Sequence, residues 1–541
     1  MSFLEISDIN RLPYGDPNFV NIRETGSIYV DKTKLIYKIA SQRAPIFFSR
    51  PRRFGKSLLV NTLHALFSTG LKYFKGLDIE KVWNDKTYKV IHLDFSSMAE
   101  DNTEELKEDL SEVLIEEFGV KGLVSPYNEQ GVRRPARVFS EILKKFELNS
   151  IVLLIDEYDA PLTHNIDNKD NLNEIVKVLN NFYATVKQYT GTFRLIFITG
   201  VTRTSHISIF SAFNNILDIS LDEEFNGLLG FTQKDLIQYF DSYIENAAFN
   251  LKISKNDVYY RLEKYYDGFQ FSIDAKETIY NPWSILSFFK QTNKGFQDYW
   301  FNSGGISSII MQYLKVSDSF DLMNYDDREI YVDKDELTDR YEITDIPRDI
   351  LLYQTGYLTI RKIADNTAKL EFSNAEVENS LFRLYLRSNN FKTLPRTKVK
   401  IGEIYKEIDK KDIISIVSIF NDILNECVST LSKIFQDERS VRDIIYAALP
   451  QYIYLQKIKE RETLKGFSDL ELLTQKTHMV IEFKRTTPAR NAASALKEAI
   501  QQIQSKKYGS GAYQNLELFR VAMVISTEEK AILPEFCKEI L

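Results

Sequence analysis

Between residues 44 and 66 the chain passes through Ala44-Pro45-Ile46-Phe47-Phe48-Ser49, then Arg50-Pro51-Arg52-Arg53-Phe54-Gly55-Lys56-Ser57, then Leu58, Leu59, Thr62, Leu63 and Leu66 at helical spacing. An apolar strand, a loop and an amphipathic helix in that order constrain the fold more than any other stretch of the sequence. At the start of such a helix, free backbone N–H groups surround a phosphate, a lysine reaches its outer oxygens, and a serine or threonine hydroxyl ligates magnesium. Gly55, Lys56 and Ser57 stand at those positions. Arg50 occupies the place of the first glycine in GxxxxGK[ST], so the strict pattern is not met. Gly-Lys-Ser alone would decide little.

A second segment supplies the missing weight. Ser150-Ile151-Val152-Leu153-Leu154-Ile155-Asp156-Glu157-Tyr158-Asp159 is an apolar strand that delivers two acids at its carboxyl end. In a parallel sheet ligands bind beyond the strand C-termini, so Asp156 is placed to support magnesium and Glu157 to orient or deprotonate an attacking water. Val90-Ile91-His92-Leu93-Asp94 and Arg194-Leu195-Ile196-Phe197-Ile198-Thr199-Gly200 suit the same sheet. The second of these leads into Thr202, Arg203 and Thr204 and has the character of a sensor strand. Arg203 is a candidate to stabilise charge on a transferred phosphoryl group, against the plainer reading of a surface arginine. Arg50, Arg52 and Arg53 pose a similar choice between phosphate or partner-subunit contacts and a solvated loop.

Bulk composition is compatible with this and excludes several classes. The 541 residues, 44% hydrophobic and 13% aromatic, supply enough apolar material for several packed cores. A net charge of -7 rules out an evenly basic coat but not a local basic channel. Cys427 and Cys537 lie far apart, which leaves no disulfide framework or cysteine zinc site and fits a reducing cytosol. The opening MSFLEISDINRLPYGD lacks an export signal, and no apolar run approaches the roughly 20 residues of a membrane span, so a cytoplasmic protein with no membrane association is expected.

Beyond about Phe231 the sequence turns helical and aromatic. Asp267-Gly268 and Asn281-Pro282 act as breakers, and Tyr353 to Ile360 beside Lys369 to Phe372 form a hairpin or wing. Amphipathic helix dominates Asn374 to Leu431 and returns at Glu438 to Ala448. Gly466 to Leu473 and His478 to Lys484 then form an antiparallel hairpin across a polar turn. Strand alternation puts Glu482 and Lys484 on one face and Ile481 and Phe483 on the other, with Asp469 on the neighbouring strand. Two carboxylates and a lysine so arranged can hold one or two divalent ions and cut a phosphodiester. The ExK tripeptide alone means little, since it recurs at Glu105/Lys107 and Glu528/Lys530. The apolar strand, Asp469, and a following helix with Gln501, Gln502, Gln504 and Tyr508 raise its significance.

Taken together, Tyr29-Val30-Asp31-Lys32-Thr33, the Arg50 to Ser57 loop, Asp156 to Asp159, Tyr266 to Gly268, Asn281-Pro282, Gly356 to Thr359 and Asp469/Glu482/Lys484 resemble bacterial proteins that join a divergent AAA-ATPase-like domain to a C-terminal PD-(D/E)XK nuclease domain. The resemblance spans nearly the whole chain and implies an α/β fold class. Its parts are a P-loop NTPase core with a parallel sheet over 1–235, a helical or winged-helix lid over 236–375, and an α/β nuclease-like domain over 376–541. The missing first glycine is usual in that family. The resemblance further implies that ATP is held by Arg53, Phe54, Gly55, Lys56, Ser57 and Leu58, with Asp31 near the base. Magnesium would sit at Ser57 and Asp156, and magnesium or manganese at Asp469 and Glu482 with Glu438 joining them. Catalysis would fall to Glu157 and Arg203 in front and to Asp469, Glu482 and Lys484 behind. The expected partner is nucleic acid, DNA in the first instance, with a role in defence against foreign DNA and a homo-oligomer completing the ATP site. The competing expectation is a STAND-like NTPase switch or scaffold whose last domain binds nucleic acid without cutting.

Overall fold

The computed structural model describes residues 11–98, 102–119, 134–204, 215–272, 274–302, 309–310, 330–364, 366–388, 395–428, 438–449, 455–463, 466–510, 513 and 515–540. The chain divides into two compact units. One is built on Met1–Thr292, Asp298–Val316 and Glu329–Glu378, and the other on Asn379–Leu541 with Asn293–Gln297 and Ser317–Arg328. The segments expected as core and lid therefore fall into a single unit. Among the described residues no helix is long and apolar enough to cross a membrane.

The first unit is organised by five parallel strands, β1 (Ile46–Ser49), β2 (Lys89–Asp94), β3 (Ile151–Asp156), β4 (Phe193–Gly200) and β5 (Leu217–Asp218), in the order β2-β3-β4-β1-β5. Every residue of β3 and β4 is buried, as expected of parallel strands covered on both faces. The order places β4 between the strand that leads into the loop and the strand that ends in two acids. With neighbouring strands about 4.8 Å apart, those two tips stand roughly 10 Å from each other, the reach of a nucleotide's phosphate chain with its metal. The helix Lys56–Thr69 follows β1 directly. A three-stranded antiparallel sheet follows later in the same unit, with β6 (Ile330–Asp333), β7 (Leu358–Ala364) and β8 (Thr367–Phe372) ordered β6-β8-β7. Its β7–β8 hairpin is the wing anticipated from the sequence.

The second unit is a mixed sheet of β9 (Gln456–Thr463), β10 (Gly466–Leu473), β11 (Thr477–Arg485), β12 (Glu517–Ser526) and β13 (Ala531–Ile540) in sequential order. Only β11 and β12 run parallel, and the helix Ala492–Lys506 makes the crossover that such a pair requires. Alternation sorts β11: Met479, Ile481 and Phe483 enter the core formed with Ile416, Phe420 and Ile444, while Val480 packs with Ala499 and Ile503 of the crossover helix. Glu482 and Lys484 share Val480's face. Roughly 1.5–3 kcal/mol for each fully buried Leu, Ile, Phe or Met holds this register, because a one-residue slip would exchange the two faces.

Candidate functional site

In the first unit the loop between β1 and its helix curls around a lysine. Lys56 Nζ donates to the carbonyls of Arg50 at 3.1 Å and Pro51 at 3.3 Å. Gly55 has φ +97°, which only glycine adopts without strain, and it forms the helix N-cap with no side-chain cap bond. The first-turn N–H groups are thus left to an anion. The Ser57 hydroxyl donates to Asp156 at the end of β3. Burial pushes Asp156 up to about 6, against the opposing pull of that hydrogen bond and of Lys56. Next to it, Glu157 adopts φ +47°, a left-handed conformation uncommon for a non-glycine residue, and its N–H is held by Asp156 Oδ1 at 2.9 Å. A cavity of about 550 Å³ opens here, lined by Arg53, Phe54, Gly55, Lys56, Ser57 and Glu157 at the phosphate end and by Tyr29, Val30, Phe240 and Trp283 beyond. Its size and its mostly apolar lining, with Arg53 and Lys56 at one end, fit a nucleoside polyphosphate.

The residues after Glu157 fasten the tip of β4. Asp159 is 3% exposed and accepts from the Val201 N–H, the Thr202 N–H at 2.7 Å and the Thr202 hydroxyl at 2.6 Å. Tyr158 donates its hydroxyl hydrogen to the Thr202 carbonyl at 2.9 Å. A Cβ at Gly200 would approach Asp159 Oδ1 and Tyr158 Cδ1 to 2.5 Å, so only glycine permits this closeness.

The second unit carries the other cluster. Glu482 is fully buried and accepts from Lys484 Nζ at 2.8 Å through Oε1, while its Oε2 is buried with no hydrogen-bond partner. Asp469 lies one residue beyond the paired Leu470 and Ile481, and its Oδ2 accepts the Phe483 N–H at 2.7 Å. Burial, reinforced by their mutual repulsion, raises Glu482 well above the carboxylate range, and burial likewise raises Asp469. Two carboxylates forced together with one oxygen unsatisfied form a site in need of a cation. Lys484 and Arg442 neutralise part of that charge, and although burial opposes it, the combined pull of Glu482, Asp469 and Glu438 raises the Lys484 amine above its usual range. Tyr508 stands in the field of the same carboxylates and is bonded by Gln502 Nε2 at 3.2 Å.

Against known families, residues 13–210 match the model of a predicted AAA-ATPase and residues 436–535 that of the PD-(D/E)XK nuclease superfamily. The chain joins an AAA-ATPase-like domain to a PD-(D/E)XK nuclease superfamily domain. It is 29% identical over 380 residues, 69% of either chain, to an uncharacterized protein in the vnfD 5′ region of Azotobacter chroococcum mcd 1. Among solved structures, the Walker-type ATPase paby2304 of Pyrococcus abyssi aligns at 12% identity over 65% of this chain and 94% of its own with a TM-score of 0.29, too low to inform the fold.

Within the AAA-ATPase-like domain, three expected residues stand elsewhere than the sequence placed them. Asp31 does not line the cavity. Its carboxylate accepts from Thr33 N at 2.8 Å, Thr33 Oγ1 at 2.7 Å and Asp78 N at 2.8 Å, so it ties the start of the helix Thr33–Ala40 to Asp78. Its neighbours Tyr29, Val30 and Lys32 line the cavity in its stead. Arg203 is 5% exposed, ion-paired to Asp218, and bonded through Nη1 to the Leu337 carbonyl at 2.9 Å, so its charge is already compensated away from the cavity lining. Arg50 is 2% exposed and donates to the carbonyls of Ser220 at 2.7 Å and Phe225 at 3.0 Å, between the rings of Phe48 and Phe271. It is a structural clamp, not a phosphate ligand. Arg53 does reach the cavity, stacked 4.6 Å over Trp283, with φ +68°.

In the nuclease superfamily domain, Glu438 is close to the carboxylate pair but not fused with it. Among the described residues no group of three or more His, Cys, Asp or Glu forms a metal-binding cluster. Glu438 Oε1 instead accepts from Arg485 N and Arg490 Nη2, both at 2.8 Å. Asp469 and Glu482 are the two carboxylates that could hold an ion directly, with Glu438 beside them. The sequence reading missed Arg490, because its role depends on two acids 52 and 8 residues away. It also missed Arg442, buried in a pair with Asp443 and lowering the neighbouring Asp469 by its charge.

Proposed function

We propose that this chain is an ATP-dependent nuclease, in which nucleotide binding and hydrolysis in the first domain govern metal-dependent cleavage of DNA by the last, in the service of defence against foreign DNA. The observation that carries the reading is the unsatisfied, fully buried Glu482 Oε2 beside Asp469 and Lys484, in a chain that also retains Lys56, Ser57 and Glu157 around one cavity with Asp156 next to Ser57. In the first domain Lys56 and the first-turn N–H groups hold the phosphates. Ser57 and Asp156 would hold magnesium, and Glu157 orients the water. In the last domain Asp469 and Glu482 would hold magnesium or manganese, and Lys484 steadies the charge on Glu482 and on the phosphate. The bound ion supplies neutralisation of the phosphate and a more acidic water.

A STAND-like switch that binds nucleic acid without cutting draws on one observation, the absence of a three-ligand metal cluster among the described residues. Magnesium usually keeps several waters and takes only one or two carboxylates, so that observation weighs less than the buried pair. The test is incubation of purified protein with labelled linear, circular and single-stranded DNA in magnesium or manganese, beside Glu482→Ala. Cutting that disappears in the variant supports the nuclease. DNA retention without cutting by either protein supports the switch.

A further inference from the structure

Arg490 sits at the junction of three elements in the last domain. Its backbone closes a tight turn with Thr487, N–H to carbonyl in both directions at 2.9 and 3.0 Å, immediately after β11. From there its guanidinium spreads three ways. Nε donates to the Arg485 carbonyl at 2.9 Å, Nη2 to Glu438 Oε1 at 2.8 Å, and Nη1 to Glu498 Oε2 at 2.7 Å. These partners are the last residue of the strand that bears Glu482 and Lys484, the first residue of the helix Glu438–Ala448, and the crossover helix Ala492–Lys506. A planar guanidinium with five donors in a fixed fork can join three such directions at once, which a lysine cannot.

We propose that Arg490 is a positioning residue of the nuclease site, which fixes the Glu438 carboxylate against the end of the catalytic strand so that Glu438 serves the bound ion. The assignment rests on the reading of Asp469 and Glu482 as its metal ligands. Both donors to Glu438, Arg490 Nη2 and the Arg485 N–H, fall on the same oxygen, Oε1. Among the described residues Oε2 takes no hydrogen bond, so the carboxylate is anchored at one oxygen and available at the other. Since magnesium and manganese sites retain water, Glu438 acts on the ion through one of those waters. The opposite arrangement, with Arg490 withholding Glu438 from the site, does not explain why the Arg485 N–H, on the strand that bears Glu482, donates to the same Glu438 oxygen as Arg490.

The test is manganese binding by the full-length protein, followed by calorimetry and by electron paramagnetic resonance of free manganese, with metal-free melting curves as the control for folding. Removal of a partner that orients a ligand weakens metal binding about 10–100-fold, and that loss is expected for Arg490→Ala. Arg490→Lys keeps the charge but not the fork and falls between the two. Glu498→Gln, which alters a half-exposed partner, weakens binding about fivefold or less. Affinity unchanged or increased in Arg490→Ala overturns the proposal. If Arg490→Ala does not fold, the other two variants decide, and wild-type affinity in both overturns it. A wild-type protein with no manganese site removable by Glu482→Ala overturns the nuclease reading and the role of Arg490 with it.

Discussion

The two domains build their sites from different parts of the chain. Around Lys56 the working groups are largely backbone: N–H groups at a helix start, carbonyls folded over an amine, and left-handed residues at Arg53, Gly55 and Glu157. Around Glu482 they are side chains, set by the alternation of one buried strand and by its register with β10. A site made by backbone depends on what presses the loop into shape, so side chains in the loop can change if the pressure is kept. That explains how Arg50 replaces a glycine: its guanidinium ties the loop to Ser220 and Phe225, while Phe54 packs at 4.8 Å on Phe269 and 5.1 Å on Phe271. A site made by side chains on a strand has no such latitude.

Four changes sharpen or break this contrast. The largest effect belongs to Glu482→Ala, which deletes the orphaned oxygen and is expected to bring DNA cleavage to background while ATP turnover persists, as read by gel and phosphate release in one preparation. Lys56→Ala is expected to lower ATP turnover about 10²–10³-fold, the cost of one preorganised charge donor. Arg50→Gly restores the general P-loop pattern and, on this account, damages the site. Loss of charge-assisted bonds worth about 1.5–3 kcal/mol corresponds to a tenfold or greater loss of nucleotide affinity by equilibrium titration. A gain in affinity would break the comparison.

The smallest effect concerns Asp267, in the turn that backs Phe54. Burial pushes it up to about 6, and its Oδ1 is buried with no partner. Its folded-state pKa lies above the ordinary value of 3.8, so its contribution to stability is present below that value and is lost as pH rises through 6. Asp267→Asn should therefore gain stability relative to wild type between pH 5 and pH 8, by about 1.4 kcal/mol at most, since only about one pH unit of the span from 3.8 to about 6 lies above pH 5. Thermal melts at the two pH values check the sign.

What the sequence made legible follows the same division. Local patterns suffice for a strand that enters a loop and helix, for an apolar strand ending in Asp156 and Glu157, and for a hairpin whose alternation pairs Glu482 with Lys484. They also suffice for the β7–β8 wing. Local pattern fails where a side chain answers to distant backbone. Arg50 is claimed by carbonyls 170 and 175 residues on, and Arg203 by a carbonyl 134 residues on and by Asp218. Asp31 is taken up by Thr33 and Asp78, and the bond two residues on is one that a turn-forming Asp before a helix could have suggested. Trp283 enters the cavity from the helix Pro282–Lys290, a placement set by tertiary packing that the local Asn281-Pro282 breaker does not encode.

The central claim is that the two sites act as one enzyme, and the rate of DNA cleavage with and without ATP, in wild type and in Lys56→Ala, tests it most directly. The account predicts that ATP changes the wild-type rate and that Lys56→Ala, with its nuclease residues intact, no longer responds to ATP. Equal wild-type rates with and without ATP, unaffected by Lys56→Ala, would contradict it and leave two independent activities on one chain.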